Sequence, residues 1–176
     1  MEIPKKPARA YDPGPTAISA GIQSARLAQA AQTFVARVRA VPDELHTVAP
    51  AEGEWNLKQL AAHAGEICAY WANEIKLIRT TPGVPFGRTM DDPARARYIE
   101  DHRNDSMDAL LGTIEQNSAE ASALLLTFTE DEWADVTGVH PARGPMSVDA
   151  IASAFLADHA EEHLKQLDET LTAIRK

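Results

Sequence analysis

The stretch that follows Trp55 constrains this chain most. Asn56 stands where a side chain can cap a helix, and Gln59, three residues later, is the reciprocal member of a capping box. From there Leu60, Ala64, Ile67, Cys68, Trp71, Ile75 and Ile78 recur on one helical face. A stripe of that length needs apolar partners along its whole height, which long neighbouring helices supply. His63 lies three residues after Leu60 and four before Ile67, in phase with the inward face, so its imidazole is expected to be buried.

Three further stripes meet that demand. Ile22, Leu27, Ala31, Phe34, Val38 and Val41 mark a first helix from about Ile18 to Val41, stopped by Pro42. Met107, Leu110, Leu111, Ile114, Ala121, Leu124 and Leu125 mark a third over roughly Asp101 to Phe128. Ser147 caps a last helix with Val148, Ile151, Ala152, Phe155, Leu156, Leu167, Leu171 and Ile174 inward. Thr129 and Glu132 form the capping box of a short connecting helix before Trp133. Thr80 to about Ala96, with Thr81-Pro82-Gly83-Val84-Pro85-Phe86-Gly87 and Asp91-Asp92-Pro93, reads as a turn-rich crossing and a candidate lid. Gly138 to Pro145 reads as a loop. No segment has strand period and nothing repeats, so the expectation is an all-α fold of four main helices, residues 18–176, after an extended proline-rich tail at 1–17.

At 176 residues the chain is expected to form a single domain. Its 26 acidic against 17 basic residues give a net charge of −9, which argues against nucleic acid and anionic membrane as partners and leaves small molecules and other proteins. The single cysteine, Cys68, has no internal disulfide partner. Lys5, Lys6 and Arg9 lead into prolines and not into a signal-peptide core, and no apolar run approaches a membrane span. A cytoplasmic location is expected.

His159 and His163, four residues apart, continue the inward series of the last helix. An i,i+4 pair places two imidazoles one turn apart, where both can reach one ion at about 2.0–2.1 Å. With His63 from a facing helix they make a candidate three-histidine metal site with at least one open position, the condition for a catalytic ion. A competing reading takes His159-Ala160-Glu161-Glu162-His163 as the inverted zinc-peptidase pattern with Glu162 as base. Its third ligand could only be Glu169, close to the end of the sequence. Glu66, one turn after His63, and Asp158 and Glu162 beside the other two histidines could orient an imidazole or act as a base; as helix carboxylates they are more ordinarily solvated. His140 is a candidate proton shuttle or substrate contact. Arg88 and Arg143 could pair with a substrate carboxylate, although exposure is the ordinary state of a loop arginine. His46 and His102 are out of phase with the stripes and read as surface residues. Trp55, Trp71 and Trp133 read as packing anchors, and Cys68 as a small core residue.

The segment Glu52-Gly53-Glu54-Trp55-Asn56-Leu57-Lys58-Gln59-Leu60-Ala61-Ala62-His63 resembles the opening of the second helix in the DinB/YfiT-like superfamily. His159-Ala160-Glu161-Glu162-His163-Leu164-Lys165-Gln166-Leu167 resembles that family's paired histidines and following glutamine, and His140-Pro141 falls where the YfiT-like branch often has such a pair. The similarity spans about residues 18 to 175. It implies an up-down-down-up four-helix bundle, often a homodimer, that binds a divalent metal, commonly zinc or nickel, through residues matching His63, His159 and His163. It implies action on a small-molecule substrate: transfer of a low-molecular-weight thiol such as bacillithiol or mycothiol to an electrophile, thiol-dependent isomerisation, or hydrolysis. The chain departs from the family in its proline-rich start and in Gly65-Glu66 after the first ligand. A non-catalytic, metal-stabilised binding or stress module is the alternative from another class.

Overall fold

In the computed structural model, which describes residues 20–175, the four apolar stripes become four long helices; the expected tail at 1–17 and the first two residues expected of helix one, 18 and 19, lie outside the described residues. α1 is Ala20–Arg39 and ends before Pro42, with a 3-10 turn at Asp43–Leu45. α2 is Leu57–Thr80, and the Asn56–Gln59 capping box closes in both directions. Short α3 (Pro93–Asp101) precedes α4 (Met107–Leu125), and α5 (Glu130–Asp135) carries the Thr129–Glu132 box. The fourth long helix is continuous but not uniform. It comprises α6 (Val148–Ile151), a π-helical turn at Ala152–Ala157, and α7 (Asp158–Ile174).

Side-chain pairings fix the directions. Lys58 at the start of α2 bonds the Arg103 carbonyl just before α4, Gly65 accepts from Asn117, and Arg79 at the end of α2 holds Thr127 just after α4, so these two helices run parallel. Ser24 meets Ser122 and Arg39 meets Glu115, so α1 is antiparallel to α4. Arg26 reaches Asp158 and Arg37 reaches Asp168, so α1 and α7 are parallel. The bundle is therefore up-down-down-up, and the passage from α2 to α4 must cross its full height. Chain 81–106 does this.

Four expectations need correction. Asp91-Asp92-Pro93 is the start of α3 and not a simple turn: Asp92 accepts from the Ala94 amide and Pro93 occupies the first helical turn. The third long helix does not begin at Asp101; the chain breaks after α3 and restarts where Ser106 caps Met107. Gly138–Pro145 is no loop but most of a hairpin, β1 (Thr137–His140) against β2 (Gly144–Ser147), antiparallel from Thr137↔Ser147 to His140↔Gly144. Each strand has four residues, too few to display a period of two. Pro85 bridges in parallel to Val139 and ties the crossing segment to this hairpin. Ile22, expected inward, is 51 % exposed, because the buried face at the start of α1 runs through Gln23, Ser24 and Leu27 and Ile22 falls outside it.

The core has two apolar halves. One gathers Trp71, Ile75, Ile78, Trp133, Ile151 and Leu156; the other Phe34, Val38, Leu60, Leu111, Leu167 and Leu171. On α2 the seam between them falls between Leu60 and Ile67, and on the fourth helix between Leu156 and Leu167. His63, His159 and His163 lie in those intervals.

Candidate metal centre

The three histidines predicted to share a site do converge. His63 comes from α2, and His159 and His163 from successive turns of α7. One ligating atom from each lies within 4.8 Å of the others, and ring centroids are 5.7, 5.0 and 4.4 Å apart for the pairs 63–159, 63–163 and 159–163. His63 and His163 are buried, while the His159 side chain keeps 29 % of its exposure.

The protonation pattern suits ligation. His163 Nδ1 lies 3.2 Å from Gln166 Oε1; the amide oxygen can only accept, so Nδ1 donates and the Nε2 lone pair is left free. His163 Nε2, His159 Nε2 and His63 Nδ1 are buried without a hydrogen-bond partner. Buried polar atoms are otherwise almost always paired; Glu66 Oε2 stands near His63 Nδ1, whereas the Nε2 atoms of His159 and His163 have nothing to complete them. Burial, reinforced by the neighbouring imidazoles, pushes His163 down to about 3. Burial, then His63 and the Arg95 charge, push His159 down to about 4. Both rings are neutral at physiological pH, the state that binds a metal. Among the described residues no fourth histidine, cysteine or carboxylate joins the group. Three converging ring nitrogens with no further protein ligand opposite them fit a divalent ion that retains an open position.

Around this cluster the carboxylates divide. Glu66 is not solvated: its side chain is 10 % exposed, both its oxygens lie 2.7 Å from the Arg88 guanidinium, and Oε2 stands 3.5 Å from His63 Nδ1. Burial alone would raise the Glu66 carboxyl, but His63 and Arg88 outweigh it and hold it below the usual glutamate value. Arg88, which as a loop residue would ordinarily be exposed, is equally buried and lies over the Tyr70 ring at 4.0 Å. The pair pins the crossing segment to α2. Asp158 and Glu161 bind Arg26 of α1 on either side of His159, whereas Glu162 is largely exposed, 3.8 Å from His159 Nδ1.

His140 is buried at the end of β1, beside Phe155, which stacks on Trp71 with ring centroids 4.0 Å apart. Its Nδ1 accepts from the Ala142 amide, so Nε2 carries the proton, and that atom is buried without a partner. Burial, with Arg143 nearby, lowers its pKa. Gly87 passes so close that a Cβ there would sit 2.6 Å from His140 Cδ2. Arg143 itself is exposed, over Phe155 at 4.6 Å. Two histidines read as surface residues are not: His46 is buried and bonds the Val41 carbonyl, and His102 is half-buried on Tyr98. Both belong to loops or helix ends, where helical phase carries no information. Cys68 is buried, its thiol pushed up to about 12 by burial, and is inert. Trp71 and Trp133 are core anchors; Trp55 is half-buried, edge-on to His63 at 5.0 Å. Periodicity could not reveal Arg95, on α3, whose guanidinium lies 5.6 Å from the Trp55 ring.

An up-down-down-up bundle with three imidazoles converging at the seam of its core defines a class of four-helix proteins with a candidate divalent-metal centre. The chain belongs to the DinB superfamily, whose sequence profile matches residues 26–167. Its fold is similar to that of YfiT from Bacillus subtilis, described as a probable metal-dependent hydrolase with an unusual four-helix bundle topology (18 % identity, TM-score 0.75, 96 % of this chain and 94 % of that one). It is also similar to TT2238, a four-helix bundle protein (16 % identity, TM-score 0.60, 84 % and 98 %). A third similar fold is the mycothiol-dependent maleylpyruvate isomerase (16 % identity, TM-score 0.67, 87 % of this chain), of which this chain spans only 61 %. Comparison with curated protein sequences returns no significant match. Among the described residues no helix is long and apolar enough to cross a membrane.

Proposed function

We propose that the protein is a metal-dependent enzyme in which His63, His159 and His163 hold a divalent ion, zinc or nickel, and that it acts on a small electrophile with a low-molecular-weight thiol or water as nucleophile. The observation that carries this reading is the convergence of His63, His159 and His163, the Nε2 atoms of the last two buried without a hydrogen-bond partner, with no fourth protein ligand among the described residues. An ion bound there supplies a Lewis acid that lowers the pKa of a coordinated thiol or water, so that the nucleophile is available near neutral pH. Thiol transfer is favoured over hydrolysis by the family resemblance.

The protein's own groups take distinct parts. Gln166 fixes the His163 tautomer. Glu66, held on both oxygens by Arg88, is better suited to orienting His63 than to abstracting a proton. His140 keeps a buried Nε2–H and a depressed pKa, so it is a neutral hydrogen-bond donor, suited to holding a substrate oxygen and not to releasing a proton. The test is metal content of protein purified without an affinity tag, wild type beside His63→Ala, His159→Ala and His163→Ala. Near-stoichiometric zinc or nickel in the wild type and its loss in each variant is the expected result. A wild type that takes up neither ion, or variants that retain the metal, would overturn the ligand assignment.

A further inference from the structure

The geometry points to a low-molecular-weight thiol cosubstrate that bears a carboxylate, recognised by Arg95; this rests on the metal-centre reading above. The chain carries a net charge of −9, yet the surroundings of the histidines run the other way. Glu66 is neutralised by Arg88, and Asp158 and Glu161 by Arg26. Glu162 is the remaining carboxylate beside a ligand, and it is 69 % exposed.

Against these stands Arg95. It is half-buried and has no carboxylate within ion-pair distance among the described residues, only the Met90 carbonyl at 3.5 Å and the face of Trp55. Trp55 in turn meets His63 edge-on at 5.0 Å, so the guanidinium stands one aromatic ring away from a ligand imidazole. Arg26, Arg37, Arg39, Arg79, Arg88 and Arg103 all pair with acids. A guanidinium held on an indole, short of solvent and without an anion, is prepared for a planar, bidentate acceptor. The cosubstrate does not enter from the core. The apolar cavity behind His163, lined by Phe34, Ile67, Cys68 and Phe155, has a volume of ≈ 20 Å³, room for little more than a water molecule. An open groove on Trp55 and Gln166 carries Glu54 and Glu169 and repels an anion, which leaves the Arg95 side of Trp55 as its seat.

The test uses full-length protein loaded with cobalt(II), whose thiolate charge-transfer absorption reports a thiol arriving at the ion. The probes are thioglycolate, 3-mercaptopropionate and 6-mercaptohexanoate, each beside its neutral amide, so that chain length is varied while the thiol is kept. Wild type should bind the acid about tenfold or more tightly than the amide for at least one length. Arg95→Gln should abolish that preference, and Arg97→Gln, an equal charge change at an exposed position of the same helix, should keep it. Equal affinity for acids and amides in the wild type, or a preference that survives Arg95→Gln, overturns the inference and leaves the metal centre standing. Loss of the preference in Arg97→Gln as well would mean general electrostatics and likewise overturn it. Cobalt bound without a thiolate band for any probe overturns this inference alone, whereas failure to take up cobalt overturns the metal reading and this inference with it.

Discussion

Glu66 serves two neighbours with one carboxylate, and both are buried. Replacing it by Gln preserves shape but removes the charge that Arg88 needs, leaving a guanidinium only 8 % exposed without an anion. Breaking one side of a buried pair in this way should cost about 3 kcal/mol of stability, read as a lower urea midpoint in metal-free protein. Losing the group that orients His63 should also weaken metal affinity by about tenfold to a hundredfold, read by competition with a chelator. Unchanged values in both assays would show that the Glu66–Arg88 pair is incidental to the site. Gly87→Ala tests the neighbouring strap. At φ +80 the substitution is strained whatever the space, and the new Cβ meets the His140 ring, so a loss of about 2 kcal/mol in urea unfolding is expected. Wild-type stability in this variant would mean that the strap relaxes freely. At this scale the sequence was legible only where a residue sat inside a helical stripe. The phase of His63 between Leu60 and Ile67 exposed its burial, whereas Arg88 and Arg95 belong to the crossing segment, where position along the chain says nothing about orientation.

The fourth long helix shows what an element can hide from its own periodicity. The π turn at Ala152–Ala157 widens hydrogen bonding to i→i+5 and so accommodates about one residue more than an α-helix would over the same height. Upstream, Ile151 packs in the core; within the turn, Phe155 faces Trp71 and His140; downstream, His159 and His163 face His63. Deleting Ser153 would remove that extra residue, restore α geometry and keep the two ends of the helix in phase. The expected outcome is near-native helical circular dichroism with stoichiometric metal retained. Loss of metal in the deletion variant would show that the π turn itself, and not only the helix phase around it, positions the ligands. From sequence the helix read as regular, because Val148, Ile151, Ala152, Phe155 and Leu156 are apolar enough to satisfy either period. The Asn56–Gln59 and Thr129–Glu132 boxes, by contrast, placed two helix starts correctly, since a capping pair is local chemistry. The hairpin escaped notice for the opposite reason: it is held by pairing between Thr137–His140 and Gly144–Ser147 and by Pro85 from far along the chain.

At the scale of the whole molecule, the histidines occupy a seam between two apolar halves, each closed by its own large side chains, Trp71, Ile75 and Trp133 in one and Phe34, Leu60 and Leu111 in the other. Each fully buried aliphatic or aromatic side chain contributes about 1.5–3 kcal/mol, so either half is a core in its own right. Small metal domains that unfold without their ion lack such a core. Here the ion's absence would leave His159 and His163 as neutral imidazoles and not as unpaired charges, a cost of a different order. Metal removal should therefore leave the bundle folded and lower its melting temperature by no more than linkage requires. At a free ion concentration a hundred times the dissociation constant, linkage is worth about 2.7 kcal/mol, or about 5–10 °C for a chain of this size. The measurement is thermal unfolding followed by circular dichroism, with and without chelator, at several zinc concentrations. A shift that grows with the logarithm of free zinc, on a folded apo baseline, is the expected result. Collapse of the helical signal on chelation would instead make the ion part of the scaffold, and would favour a metal-stabilised binding module over an enzyme with an open coordination position.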